Sequence, residues 1–272
     1  MAAKKVLDTA TAGGLGLAFF STITSMILEF GHLNPDFGSA FLQMSALLII
    51  FGGTFGAVMA SVAMADVVKL PTLFKIAFYG EHHDPRELIA TVVKLAELAR
   101  REGVLSLESR MEELQHHYPF LALGFRHVVD GQTPEKLKEI LANELYAMEE
   151  RHNSGIALFT ALGGYAPTMG IIGTVCGLIS ALALAGHGGG DPSHVVAAIA
   201  TAFIATFYGI AAANLCFLPI GAKLQVRSHH EVFMKLVQAH AVLSIQNGDN
   251  PRTLGAELRV FFRKEEVGEE GD

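Results

Sequence analysis

The sequence predicts an all-α integral membrane protein with four transmembrane helices and a large helical cytoplasmic block between helices 2 and 3. Three observations carry that expectation. None of the 20 Lys and Arg residues falls within four long uncharged stretches, residues 9–28, 37–65, 152–190 and 192–222. Each stretch reaches the roughly 20 residues that an α-helix needs to cross a bilayer at about 1.5 Å per residue. The basic residues gather elsewhere: Lys4 and Lys5, eleven positions from Lys69 to Arg151, and seven from Lys223 to Lys264. A water-soluble core holding four charge-free helices is hard to square with a mean hydropathy of +0.38.

The placement of charge orients the spans. Segments rich in Lys and Arg stay on the cytoplasmic side, whereas the short loops 31–38 and 186–194 carry only Asp36 and Asp191 and so face outward. Four spans with both termini inside satisfy every charged segment, which makes this a multi-pass protein of the cytoplasmic (inner) membrane. Lys4 and Lys5 ahead of the apolar run 10–26 imitate a signal peptide, but no small-residue cleavage site follows, and the run reads as a first span. The expected domains are an N-terminal transmembrane hairpin, 1–65 (spans 9–30 and 38–64), and a cytoplasmic helical domain, 66–153. A second hairpin, 154–222 (spans 156–186 and 193–221), and C-terminal cytoplasmic helices with an acidic tail, 223–272, complete the chain.

Taken in order, Asn34-Pro35-Asp36 is a turn closing the first hairpin. In the cytoplasmic block Leu88, Val92, Leu95, Leu98 and Ala99 recur at helical spacing. Gly103 interrupts the pattern and residues 105–115 resume it. Thr133-Pro134-Glu135 supplies an N-cap, a first-turn proline and a first-turn acid. Leu137, Ile140, Leu141 and Leu145 then lead towards Ile156, so the third membrane helix projects into the cytoplasm. Gly163, Gly164 and Pro167 mark a site for a break or kink. The fourth span is expected to end near Pro219, with a second cytoplasmic helix beginning at Lys223. Residues 247–251 form a loop, Leu254, Leu258, Phe261 and Phe262 mark an amphipathic helix, and 265–272 reads as a frayed acidic tail.

Several function classes drop out. With a net charge of −7 and no basic stripe, nucleic acid is not an expected partner. His82 and His83, His116 and His117, and His229 and His230 are adjacent pairs, so each pair points to different faces; surface histidine fits better than a metal site. No pattern calls for an enzyme, a metal or a cofactor. Cys176 and Cys216 lie mid-span and read as small packing residues, although sequence alone leaves a disulfide open.

The last two spans hold more. Gly173 and Gly177, and Ala205, Gly209 and Ala213, place small residues at every fourth position, which lets membrane helices approach closely. Packing within one chain and packing between copies both remain open. Thr174, Ser180, Thr201, Thr206 and Tyr208 add hydroxyls, each weak evidence alone because Ser and Thr can bond their own i−4 carbonyl. The stronger observation is an absence: these spans contain no Asp, Glu, Lys or Arg. His187 and His194 sit at the outer end, away from mid-depth. A proton carrier usually needs an ionisable side chain inside the membrane, so if the protein conducts ions a partner must supply the carboxylate.

The order of motifs resembles the A subunit of the bacterial flagellar motor stator, the MotA/PomA branch of the MotA/TolQ/ExbB proton channel family. The resemblance covers nearly the whole chain after about Leu7. It rests on Gly52-Gly53-Thr54-Phe55-Gly56-Ala57, on Ala99-Arg100-Arg101-Glu102-Gly103 with Leu107-Glu108, and on Ala166-Pro167-Thr168-Met169-Gly170-Ile171-Ile172-Gly173-Thr174-Val175. Ala205-Thr206-Phe207-Tyr208-Gly209 through Asn214 and Pro219, then Ile245-Gln246-Asn247-Gly248-Asp249-Asn250-Pro251, complete it. Phe41-Leu42-Gln43-Met44 matches the family poorly and has no assigned role.

The resemblance implies an ion-conducting stator subunit that converts transmembrane ion flow into torque on the rotor. The implied partners are a MotB/PomB-type single-span subunit with a peptidoglycan-binding domain, which brings the aspartate, and the rotor protein FliG. The implied assembly is a homo-oligomer, a pentamer, in the lipid membrane. Thr174 and Thr206, with Thr201 and Tyr208, fall on the ion pathway; Pro167 and Pro219 fall at gating positions. Arg100 and Glu108, with Arg101 and Glu112 beside them, fall at rotor contacts, against the plainer reading of a solvated salt-bridge face. The transported ion is H+ or Na+, with threonine at both positions favouring sodium slightly. Two rivals stand. An ExbB/TolQ-like energiser of outer-membrane processes typically has three spans, with its block after the first. A secondary transporter would want intramembrane charge and paired broken helices.

Overall fold

The computed structural model describes residues 4–30, 41–82, 84–186 and 192–268. The expected turn at Asn34-Pro35-Asp36, the loop residues 187–191 and the last four tail residues lie outside that set. Four described helices are long and apolar enough to span a bilayer: Thr9–Glu29, Met44–Ser61, Pro134–Gly186 and Pro192–Asn247. The chain divides into two compact units.

The apolar unit comprises Leu7–Phe78 and His152–Val226. Helix α1 (Thr9–Phe30) starts at Asp8, whose carboxylate accepts the Thr11 amide at 2.9 Å. That satisfies one of the donors a helix start leaves open. The same carboxylate forms an ion pair with Lys223. The Lys223 ammonium, and after it the Thr11 amide, hold the Asp8 carboxyl down at about 2, from an ordinary 3.8.

The second span consists of α2 (Met44–Leu47), a π-helical turn (Leu48–Gly52) and α3 (Gly53–Ser61). Gly53 has a packing reason: a Cβ there would lie 2.7 Å from Met169 Sδ. Two short helices follow, α4 (Met64–Val67) and α5 (Leu70–Phe78). Phe74 of α5 meets Phe159 edge-on, with ring centroids 5.0 Å apart.

The third span belongs to α9 (Pro134–Gly186), which runs without interruption through Gly163, Gly164 and Pro167. The break allowed for there does not occur. Proline removes only one donor, and in a membrane helix packed neighbours hold the remaining turns; Leu218 lies directly against Gly163. The fourth span differs more from expectation. α10 (Pro192–Ala212) passes through a π-helical turn (Ala213–Phe217) straight into α11 (Leu218–Asn247). Pro219 therefore does not end the helix, and no new helix begins at Lys223. In an α-helix the Pro219 ring would press on the Leu215 carbonyl four residues back. Here that residue lies in the widened turn, whose hydrogen bonds reach one residue further.

The second unit comprises Met1–Val6, Tyr79–Arg151 and Arg227–Asp272. Its core joins Leu88, Val92, Leu95 and Ala99 of α6 (Pro85–Glu102) with Leu121 and Phe125 of α8 (Pro119–Val129). Val237, Ala241 and Val242 of α11, with Leu254 and Leu258 of α12 (Pro251–Val260), close it. Gly103 ends α6 at φ +84°, a conformation that glycine adopts without penalty. A 3-10 stretch (Val104–Arg110) then leads into α7 (Met111–His117). Thr133 Oγ1 accepts the Lys136 amide at 3.3 Å, the expected start of α9.

Two features were not anticipated. β1 (Lys4–Leu7) pairs with β2 (Tyr79–His82) in a small ribbon, which period-based reading passes over in segments of four residues. The start of the acidic tail is not frayed: Lys264–Val267 forms a helical turn, α13. Arg86 holds it, donating to the Glu266 carbonyl at 2.9 Å and the Glu265 carbonyl at 3.2 Å.

Candidate functional site

Small residues bring the last two spans together. A Cβ on Gly209 would sit 2.5 Å from the Ala166 carbonyl oxygen, and one on Gly170 would sit 3.1 Å from that of Ala205. Gly173 and Gly177 face Ala205 and Ala202 at 2.7 Å by the same measure. The small-residue pattern is thus used within one chain, α9 against α10.

Backbone approach of this kind forces side chains next to the crossing into contact. Thr174 and Thr206 are hydrogen-bonded to each other through their hydroxyls. Thr174 Oγ1 also lies 3.0 Å from the Gly170 carbonyl and 3.2 Å from the Ala202 carbonyl on the facing helix. Both threonines are half-buried. The result is a cluster of hydroxyl and carbonyl oxygens in an otherwise apolar hairpin, the donor set that suits a hard cation.

Thr201 and Tyr208 belong to a different face. They lie seven residues apart, two helical turns on one side of α10, while Thr206 is rotated about 140° from Thr201. Thr201 donates to Gln43 Oε1 at 2.7 Å, and Tyr208 donates to the Phe41 carbonyl. Phe41 also meets the Phe207 ring at 6.1 Å between centroids. The structure therefore separates the four hydroxyls into a Thr174–Thr206 pair between spans three and four and a Thr201–Tyr208 pair between spans two and four. Sequence reasoning left Phe41 and Gln43 without a role. A polar Gln just inside an apolar run was the available signal, but its partner lies 158 positions away.

Pro167 sits inside α9, one residue after Ala166, whose carbonyl touches Gly209. Pro219 sits two residues past the π-helical turn. Both prolines lie in continuous helix.

Arg100 and Arg101 close α6, while Glu108 lies in the 3-10 stretch and Glu112 in the first turn of α7. All four are exposed. Among the described residues none makes an ion pair, whereas neighbouring Arg110 and Glu113 pair at 2.9 Å. Leu105 between them is 66% exposed.

A model of the MotA/TolQ/ExbB proton channel family matches residues 112–235. Motility protein A of Bacillus subtilis (strain 168) is 36% identical over 257 residues, covering 94% of this chain and 91% of the relative. The chain belongs to the MotA/TolQ/ExbB proton channel family. Among solved structures, C. jejuni MotAB is similar at TM-score 0.84 and 33% identity, covering 94% of this chain and 96% of that one. The flagellar MotAB stator complex from Bacillus subtilis is similar at TM-score 0.83 and 35% identity, covering 95% and 97%. Family membership and four apolar helices make this a multi-pass inner-membrane protein, and the family is one of channels rather than enzymes.

Proposed function

We propose that this chain is the A-type, ion-conducting subunit of a flagellar stator, turning ion flow into torque with a MotB-type partner. Relatives named motility protein A and solved MotAB complexes support the reading. The single observation that carries it is the Thr174–Thr206 hydroxyl pair between two spans that contain no Asp, Glu, Lys or Arg. Such a wall solvates a cation but cannot neutralise it, so the carboxylate comes from the partner's single span.

In this reading the cytoplasmic charges sit on the same side as both termini, and copies of the chain form a pentameric ring about the partner helices. An ion moving down its gradient supplies about 2.3 kcal/mol per charge per 100 mV, enough to rearrange a few helix contacts per step. Pro167 and Pro219 let the spans flex as the ion passes. Arg100, Arg101, Glu108 and Glu112 meet FliG on the rotor, and their lack of an ion pair among the described residues supports that assignment. Sodium is the preferred ion, since two hydroxyls and two carbonyls offer oxygen ligands.

The test is swimming speed in cells dependent on this chain, measured against sodium concentration with a protonophore present. Speed that follows sodium supports the ion assignment, and speed that follows the proton gradient alone ends it. Solute uptake by the purified chain without a partner would overturn the stator reading in favour of a transporter.

A further inference from the structure

We propose that α4 and α5 form a lipid-contact element at the membrane surface, with their outer face in the acyl boundary and Lys75 on anionic headgroups. The inference rests on the membrane-spanning reading of the four apolar helices. The element has two unlike faces. Inward, Ala77 is fully buried, Phe74 meets Phe159, and Leu73 lies against Gly155, where a Cβ would sit 3.1 Å away. Outward, Val68 is 72% exposed, Met64 57% and Ile76 44%. An outward face of large apolar side chains is unfavourable in water and marks a contact surface.

Charge and reach select a lipid surface. Asp66, the element's one carboxylate, is turned inward, paired with Lys69 at 2.7 Å and 3.5 Å from the Ser154 hydroxyl. Lys75 is exposed and makes no ion pair among the described residues. With Lys69 matched by Asp66, Lys75 is the rim's uncompensated charge, and it suits a phosphate headgroup. Only residues 62 and 63 separate Ser61, the end of span two, from Met64. Even fully extended, the chain from Ser61 to Met64 reaches only about 10–11 Å, and interfacial helices bury their apolar face about 5–10 Å into this boundary layer. On span two, Phe51 and Met59 are exposed as well.

The chain contains no Trp, so one introduced indole reports alone. The full-length variants Val68→Trp and Ile76→Trp, with Phe20→Trp on the exposed face of span one as control, are reconstituted into vesicles. The vesicles carry acyl-brominated phosphatidylcholine or phosphatidylglycerol. Expected is quenching at all three positions, with a preference for phosphatidylglycerol at Val68→Trp and Ile76→Trp. Adding Lys75→Gln should lower that preference about fivefold, the factor for one lysine at an anionic surface, and leave Phe20→Trp unchanged. Quenching at Phe20→Trp but at neither other site overturns the proposal and means that water or another protein copy faces the element. Equal quenching by both headgroups overturns the anionic contact. No quenching at Phe20→Trp overturns the membrane-spanning reading itself.

Discussion

Thr206 and Asp8 show how differently two polar residues behave in one apolar unit. Thr206 is bonded to another hydroxyl, so it can exchange partners without leaving a charge exposed to lipid. Replacing it with Leu adds bulk and removes the oxygen. Ion flux through the reconstituted complex should fall at least tenfold while ring assembly, read by native mass, persists. Asp8 is held by charge. Its folded pKa of about 2 lies below the unfolded 3.8. The stability it adds is therefore fully present above pH 3.8 and is lost as pH falls through about 2. Thermal unfolding in detergent should show this acid-side loss, and Asp8→Asn, which keeps the cap but not the charge, should flatten it. Thr174 and Thr206 were legible one by one, as hydroxyls in the last two spans and as pathway positions implied by the resemblance. Their contact with each other was not, and it follows from the close crossing of α9 and α10. The Asp8–Lys223 pair was not legible either, since nothing in either local sequence specifies a partner across the chain.

The helix crossing belongs to the scale of elements. Gly209 approaches the Ala166 carbonyl so closely that any side chain must part α9 and α10. Gly209→Ala should cost about 1–3 kcal/mol by overpacking and lower the melting temperature of the purified chain. Gly16→Ala, where a Cβ meets nothing within 4 Å, should be neutral or stabilise by up to about 1 kcal/mol through helix propensity. Span two offers a converse case: Thr54 is buried and its hydroxyl has no hydrogen-bond partner among the described residues. An unsatisfied buried hydroxyl costs about 1–3 kcal/mol, so Thr54→Val should hold or raise the unfolding temperature. The number and type of these helices could be read from charge-free length and from period. Their continuity could not. Proline is a stop signal in sequence, and only the π-helical turn ahead of Pro219 shows why the chain passes it.

At the scale of the molecule, polar chemistry sorts into uses that the chain completes itself and uses that it leaves open. The oxygen cluster in the spans lacks a carboxylate, and Arg100, Arg101, Glu108 and Glu112 make no ion pair among the described residues. Reversing both Arg100→Glu and Glu108→Arg should reduce swimming several-fold with membrane levels unchanged, as read by motility and immunoblot. Neither reversal breaks an internal ion pair among the described residues, so no loss of thermal stability is expected.

The π-helical turn at Ala213–Phe217 also acts as a phase setter. One additional residue in a helix advances everything beyond it by about 100° around the axis. In an unbroken α-helix Leu224, five turns beyond Thr206, would return to the face of Thr206. The wider turn takes up one residue without that advance, and so sets Ile220 and Leu224, both buried in the core of the apolar unit, about 100° away from it. Straightening the turn with all its residues kept would point Ile220 and Leu224 away from their packing partners, whereas deleting one residue from it would leave them in place. The turn is thus a counted length that holds the two ends of one long helix out of phase.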